Sequence, residues 1–134
     1  MTILKNDMRY IRNSDDIVLI RQVVREWALM IQFSLVDQTK IVTASSELAR
    51  NAVEYGGGGV LYLQIVSDGI RKGLKLIFED KGPGIADIGL ALKDGYTTGE
   101  GMGLGLGGAR RLVNEFNIES SVGQGTKITI IRWK

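Results

Sequence analysis

Glu47 and Asn51 stand four positions apart in the stretch Glu47-Leu48-Ala49-Arg50-Asn51-Ala52. On a helix the two side chains share one face, roughly 5–6 Å apart at Cβ. The carboxylate can take a proton, and the carboxamide offers a neutral oxygen suited to a hard cation such as Mg²⁺. Alone, the pair reads more readily as a solvated polar helix face. Further on, Asp80-Lys81-Gly82-Pro83-Gly84 stands where an apolar run stops. An aspartate there can accept a hydrogen bond from the exocyclic amine of adenine. Guanine carries a carbonyl oxygen at that position, which the same carboxylate repels. Gly82 lets backbone approach a base, and Gly84 lets the chain turn beneath it. A plain Asp-x-Gly turn is the other reading.

A second glycine cluster, Gly101-Met102-Gly103-Leu104-Gly105-Leu106-Gly107-Gly108, opens a helical pattern. Backbone N–H groups at such a start can cradle phosphates, helped by the helix dipole. A hinge or a tight helix contact would use the same residues. The formal G-x-G-x-x-G from Gly103 to Gly108 is not a dinucleotide fingerprint. Residues 95–102 do not read as a strand, and no acidic residue follows at a strand end about 20 positions on. No Gly-Lys-Ser/Thr exists for a Walker loop. Last, Thr126 follows Gly125 at the start of a strand pattern, where its hydroxyl can support Asp80 directly or through a water.

Composition narrows the chemistry. The chain has 134 residues with no cysteine and no histidine. Disulfides, thiolate or imidazole metal sites, cysteine nucleophiles, Ser-His-Asp triads and phosphohistidine are all excluded. The 17 basic and 15 acidic residues leave a net charge of +2. That balance argues for neither nucleic acid nor an anionic membrane. No apolar run is long enough to span a bilayer, and the N-terminus lacks a signal-peptide core. The expected setting is the cytoplasm, and the expected organisation is one domain over residues 1–134.

The elements that must position these residues follow from periodicity. Residues 8–12 alternate and read as a strand. Asn13 and Ser14 offer an N-cap to a helix over 15–32, whose Ile17, Ile20, Val24, Trp27 and Ile31 form the inward stripe. Asp37 can cap a second helix running to Tyr55, and the run Gly56–Gly59 ends it. Strands at 60–66 and 74–78 flank Asp68-Gly69 as a hairpin. A short helix over 87–93, a loop over 95–101, a long helix from Gly105 to Phe116 and strands at 117–122 and 127–133 complete the chain. Paired strands with helices between them predict an α+β two-layer sandwich. Its sheet is mixed, mostly antiparallel, of four to five strands, with helices on one face.

The four motifs, in this order across one domain, resemble the GHKL superfamily of ATPases and kinases with its Bergerat ATP-binding fold. Glu47 to Ala52 is similar to the N-box, Asp80 to Gly84 to the G1 box, Gly101 to Gly105 to the G2 box, and Gly125-Thr126 to the late Gly-Thr motif. Within the superfamily the chain resembles the small bacterial serine kinases that act on anti-sigma antagonists, closest to the RsbT-type switch kinases of the stressosome. Ser46 to Asn51, Glu79 to Ile85, Asp94 to Thr98 and Arg111 to Phe116 carry that likeness. The lid between G1 and G2, near residues 95–101, is shorter than in the sporulation anti-sigma kinases and has no arginine. This counts against direct sigma-factor binding and leaves the cation facing the γ-phosphate unassigned.

The resemblance implies a serine/threonine kinase of partner-switching type that uses Mg²⁺ and ATP on a STAS-domain protein. Asn51 would hold Mg²⁺, and Glu47 would act as general base or position the incoming hydroxyl. Asp80, Gly82, Gly84 and Thr126 would form the adenine pocket. Gly101, Met102, Gly103, Leu104 and Gly105 would hold the phosphates. A downstream phosphatase or sigma factor would be a further partner, and neither nucleic acid nor membrane is expected. Two alternatives stay open: a non-catalytic, ATP-dependent regulator that binds a sigma factor, and a bare Mg-ATPase. The strand near residues 8–12 can complete the sheet or pair with a second copy in a homodimer.

Overall fold

A computed structural model describes residues 1–93 and 105–134. The elements are β1 (Thr2–Ile11), α1 (Ser14–Met30), α2 (Leu35–Glu54), β2 (Gly59–Ser67), β3 (Lys72–Asp80), α3 (Ile88–Ala91), α4 (Gly105–Arg111), β4 (Glu115–Ser121) and β5 (Gly125–Trp133). The loop expected over 95–101 and the Gly101–Leu104 part of the phosphate loop lie outside the described residues. Five strands form one sheet in the order β1-β2-β3-β5-β4. Every neighbouring pair is antiparallel. The architecture is α+β, with the helices packed on a sheet face.

Strand alternation sets that face. Leu61, Leu63 and Ile65 of β2, Leu74, Leu76 and Phe78 of β3, and Ile128 and Ile130 of β5 are all buried. They share one core with Ile17, Ile20, Val24 and Trp27 of α1 and Ile41, Leu48 and Ala52 of α2. The period of two in the strands and the helical spacing in α1 and α2 meet in that layer. On the other face, among the described residues, Val66, Ile131 and Trp133 form a small apolar cluster. At the β2–β3 turn, Asp68 Oδ1 accepts from the N–H groups of Ile70 at 2.9 Å and Arg71 at 2.6 Å. Turn chemistry thus fixes the register that puts Asp80 opposite Gly59.

Beyond shifts of one or two residues at element ends, those of β2, β3 and α3 among them, three boundaries differ from the sequence expectation. First, β1 starts at Thr2 rather than near Met8, and residues 2–10 are exposed throughout. A strand wet on both sides needs no apolar period, so none marks its first six residues, 2–7. Second, α2 is capped by Ser34, whose Oγ accepts from Asp37 N–H at 3.1 Å, and not by Asp37. Asp37 is freed for Arg132, whose Nη2 lies 2.5 Å from Asp37 Oδ1. That guanidinium holds the Asp37 carboxyl below its usual range. Arg132 also donates Nη1 to the Leu112 carbonyl at 3.0 Å, so one side chain joins α2, β5 and the segment after α4.

Third, α4 stops at Arg111 rather than Phe116. Asn114 leaves the helical path because β5 claims it. Its N–H donates to Ile131 O at 3.0 Å, and its Oδ1 accepts from Trp133 N–H at 2.7 Å. Phe116 then sits in β4, opposite Ile130. Leu112, Val113 and Phe116 fit a helical stripe, but Phe116 and Ile118 also alternate, and the strand pairing wins. Among the described residues no helix is long and apolar enough to cross a membrane.

Candidate functional site

A cavity of about 580 Å³ opens between α2, the ends of β3 and β5, and α4. Its walls are largely apolar, from Leu48, Phe78, Ile85, Leu106 and Ile128 among others. Its polar lining comes from Asn51, Glu54, Tyr55, Asp80, Asp87 and Thr126. That composition is characteristic of a small-molecule site, and the volume is ample for a nucleotide base.

Asp80 ends β3, in register with Thr126 on β5. Its Oδ1 accepts from the Gly82 N–H at 2.9 Å. Burial raises the Asp80 pKa above the ordinary carboxylate value, and the backbone N–H groups of Gly82 and Thr126 pull the other way. Thr126 Oγ1 lies 2.7 Å from Ser120 Oγ, which also accepts from the Ile85 N–H at 2.8 Å.

Asn51 lines the cavity from α2. Glu47, one turn earlier, is 4% exposed. It is not among the cavity-lining residues. Gly84 and Gly105 line the cavity. Gly84 has φ +77°, and a Cβ there would stand 2.1 Å from the Ser121 carbonyl oxygen, so the turn beneath the cavity requires glycine. Gly82 is not on the cavity wall. Its open side is filled by Gly56, whose Cα would lie 2.6 Å from an added Cβ. It reaches the site through its N–H on Asp80. Gly101, Met102, Gly103 and Leu104 lie outside the described residues.

Two residues of the site carry no sequence expectation of a role there. A Cβ on Gly56 would stand 2.4 Å from Asp80 Cγ, so this glycine makes room for the carboxylate besides following α2. Its place in a run of four glycines hides that function. Ser120 belongs to no motif and is found only through its hydrogen bonds.

The donor set bears on a metal. Among the described residues no three acidic side chains gather into a cage. Among the described residues the cavity wall carries one carboxamide, Asn51, beside the carboxylates of Glu54, Asp80 and Asp87. That fits Mg²⁺, which keeps several waters and takes its other ligands from phosphates.

The family description of histidine kinase-, DNA gyrase B- and HSP90-like ATPases matches residues 36–134. The chain is 48% identical over 118 residues to serine/threonine-protein kinase RsbT of Bacillus subtilis, covering 88% of this chain and 89% of that one. It is 29% identical over 119 residues to an anti-sigma F factor of Anoxybacillus flavithermus, covering 84% and 80% of the two chains. A solved Mycobacterium tuberculosis structure with RsbU and RsbW domains superposes with a TM-score of 0.68 at 24% identity, covering 97% of this chain and 33% of that longer one. The mycobacterial sensor histidine kinase MprB gives a TM-score of 0.56 at 18% identity, covering 96% and 97%. The last two show a shared fold. Matched over three-quarters of its length and carrying the Asp80 pocket at the end of its sheet, the chain belongs to the family of histidine kinase-, DNA gyrase B- and HSP90-like ATPases.

Proposed function

We propose that the protein is a serine/threonine kinase of a partner-switching circuit, transferring the γ-phosphoryl group of ATP to a hydroxyl of a STAS-domain protein in the cytoplasm. The observation that carries this reading is the Asp80 carboxylate at the end of an apolar cavity that Asn51 also lines. The likeness to RsbT supports the choice of a hydroxyl acceptor. In the reaction the acceptor oxygen bonds to phosphorus, the bond to the departing ADP oxygen breaks, and the hydroxyl proton passes to Glu47. Asp80 and Thr126 hold the adenine, with Gly82 and Gly84 shaping the turn around it. Gly101 to Gly105 hold the phosphates. Mg²⁺, when bound, would supply neutralisation of the phosphate charge, and Asn51 is the residue that would hold it.

The test is labelled γ-phosphate with and without a purified STAS-domain partner. Label on a serine or threonine of the partner supports the kinase. Phosphate release without transfer replaces it with an ATPase. A second reading, a non-catalytic regulator of a sigma factor, is favoured by the likeness to the anti-sigma F factor. A stable sigma-factor complex with no transfer to any partner would select it.

Asn51→Ala is expected to make nucleotide binding indifferent to Mg²⁺ while adenine recognition persists, because Asp80 is untouched. Titration of ADP and an ATP analogue with and without Mg²⁺ checks this. A variant that keeps the wild-type Mg²⁺ dependence takes Asn51 off the metal. The same reading includes a homodimer along the outer edge of β1, where residues 2–10 are exposed and, among the described residues, only the β2 side is paired. Such an edge invites a second strand. Sedimentation showing a monomer well above assay concentrations removes the homodimer.

A further inference from the structure

The strand β1 ends the sheet on one side, and among the described residues its outer edge has no neighbour. The β2 register sets what that edge carries. Asp7 stands opposite Leu63 and Arg9 opposite Leu61, so both lie on the face that holds the helices. Met8 stands opposite Tyr62, which is itself opposite Ile77, so Met8 ends an apolar row on the bare face of the sheet. Met8 and Tyr10 are 40% and 57% exposed. Within one chain Asp7 turns its carboxylate on its own strand. Its Oδ1 accepts from the Met8 N–H at 2.8 Å and its Oδ2 from Arg9 Nε at 3.2 Å. Both contacts are exposed, so exchanging them for contacts with a second chain costs little. The register slips between Ile3 and Lys5, where a bulge interrupts the edge.

We infer that this edge pairs antiparallel with the same edge of a second copy, in the one register that sets Met8 against Met8 and Asp7 against Arg9 of the second copy. This deepens the homodimer reading above and rests on it. For two identical strands related by a two-fold axis, the side-chain period of two restricts the centre to one residue facing itself. Centred on Asp7, the pairing sets Asp7 against Asp7 and Lys5 against Arg9, like charges at three successive helix-side positions. Centred on Arg9, it sets that guanidinium against itself. Centred on Asn6, Lys5 meets Asp7, but Met8 runs into the bulge at Leu4. Centred on Tyr10, only residues 9–11 stay within the strand, which ends at Ile11. Centred on Met8, residues 6–10 of both chains pair clear of the bulge. Two Asp7–Arg9 contacts then cross the seam. The apolar row runs from Ile77 through Tyr62 and Met8 and continues in reverse order through the second copy. Opposite charges and apolar pairs directly across an antiparallel ladder each stabilise it. The result is one continuous sheet with the helices of both copies on the same face. The cavity, walled by α2, the ends of β3 and β5, and α4, stays clear of the seam.

Sedimentation of the full chain and disulfide trapping test this. The chain has no cysteine, so one introduced thiol reports one position. Facing residues stand within disulfide reach, and residues offset by two do not. Met8→Cys is expected to give a covalent dimer on mild oxidation. Asp7→Cys alone and Arg9→Cys alone are expected to stay at the level of Leu4→Cys, which reads chance collision. Mixed in equal amounts, the Asp7→Cys and Arg9→Cys proteins are expected to link to each other. Asp7→Lys and Arg9→Glu are each expected to weaken the dimer on the order of tenfold, and the double exchange to restore it. A charge pair that acts only within its own strand would leave association unchanged in both single variants, and that result overturns the inference. Trapping strongest at Asn6→Cys, or a dimer by sedimentation that none of these thiols traps, overturns the register and leaves the homodimer reading standing. A monomer well above assay concentrations overturns both. The kinase reading is measured separately, by labelled phosphate, and stands or falls on that result.

Discussion

Asp80→Asn is expected to lose ATP binding by at least on the order of a hundredfold while the fold survives. The two side chains have the same shape, so the close contact with Gly56 is undisturbed. The hydrogen-bond valence changes. One Asp80 oxygen is committed to the Gly82 N–H at 2.9 Å. If the asparagine oxygen keeps that bond, its NH₂ faces the adenine amine, donor against donor. If the amide turns over, the Gly82 N–H loses its acceptor. Either orientation leaves a half-buried polar group unpaired. Acid should act in the same direction. Burial holds the Asp80 pKa above its ordinary value. The carboxylate proposed to accept from adenine is fully present above that raised pKa and is lost as pH falls through it, so affinity declines on acidification, starting at a higher pH than for an ordinary aspartate. Calorimetry with an ATP analogue, paired with thermal melts, measures both effects. A folded Asp80→Asn protein with unaltered affinity removes adenine from this corner.

Glu47→Gln is expected to bind Mg²⁺ and ATP about as well as wild type and to slow transfer to the partner on the order of 10²–10⁴-fold. A loose phosphoryl-transfer transition state asks less of a base, which favours the lower end of that range. Glu47 is one turn before Asn51 on α2 and is buried. Glutamine is the informative change because it preserves volume; alanine would leave a cavity and mix packing loss with chemistry. Single-turnover transfer from labelled ATP to a STAS-domain protein reads the rate, with affinity for nucleotide and partner measured separately. Wild-type transfer by Glu47→Gln would end the general-base assignment. Equal losses in binding and transfer would make Glu47 a structural residue and strengthen the regulator reading.

Much of the fold is written in short-range pattern, and the departures have physical causes. The spacing of Ile17, Ile20, Val24 and Trp27 marks α1 because a helix buried on one side must repeat its apolar residues. Strands β2 and β3 are marked by alternation and by Asp68-Gly69. The full length of β1 is not marked, since a strand exposed on both faces places no demand on residue type. Ser34 and Asp37 are both competent caps, and only the distant Arg132 decides between them. The end of α4 is decided in the same way, by Asn114 reaching Trp133.

The site divides along the same line. Asn51, Asp80, Gly84, Gly105 and Thr126 are found on one cavity, and each stands in a motif whose spacing is local. Gly82 supports Asp80 from outside the cavity wall, a distinction that no spacing conveys. Gly56 and Ser120 act through contacts with residues far along the chain. A glycine before three other glycines and a serine before another serine carry no local mark of such a contact.

The place of β5 between β3 and β4 has a consequence for how this site comes into being. Hairpin β2–β3 closes a short turn. The β3–β5 pair must wait until α3, α4 and β4 have been looped out between its strands, an entropic cost that local pairing does not meet. Asp80 lies on one side of that late seam and Thr126 on the other. A nucleotide held by both residues would therefore be a strap across a long-range junction in the sheet. It has nothing to grip in a chain whose β2–β3 hairpin alone has formed. Once seated, it stabilises the closed seam by mass action, so occupancy of the pocket and integrity of the sheet become one equilibrium.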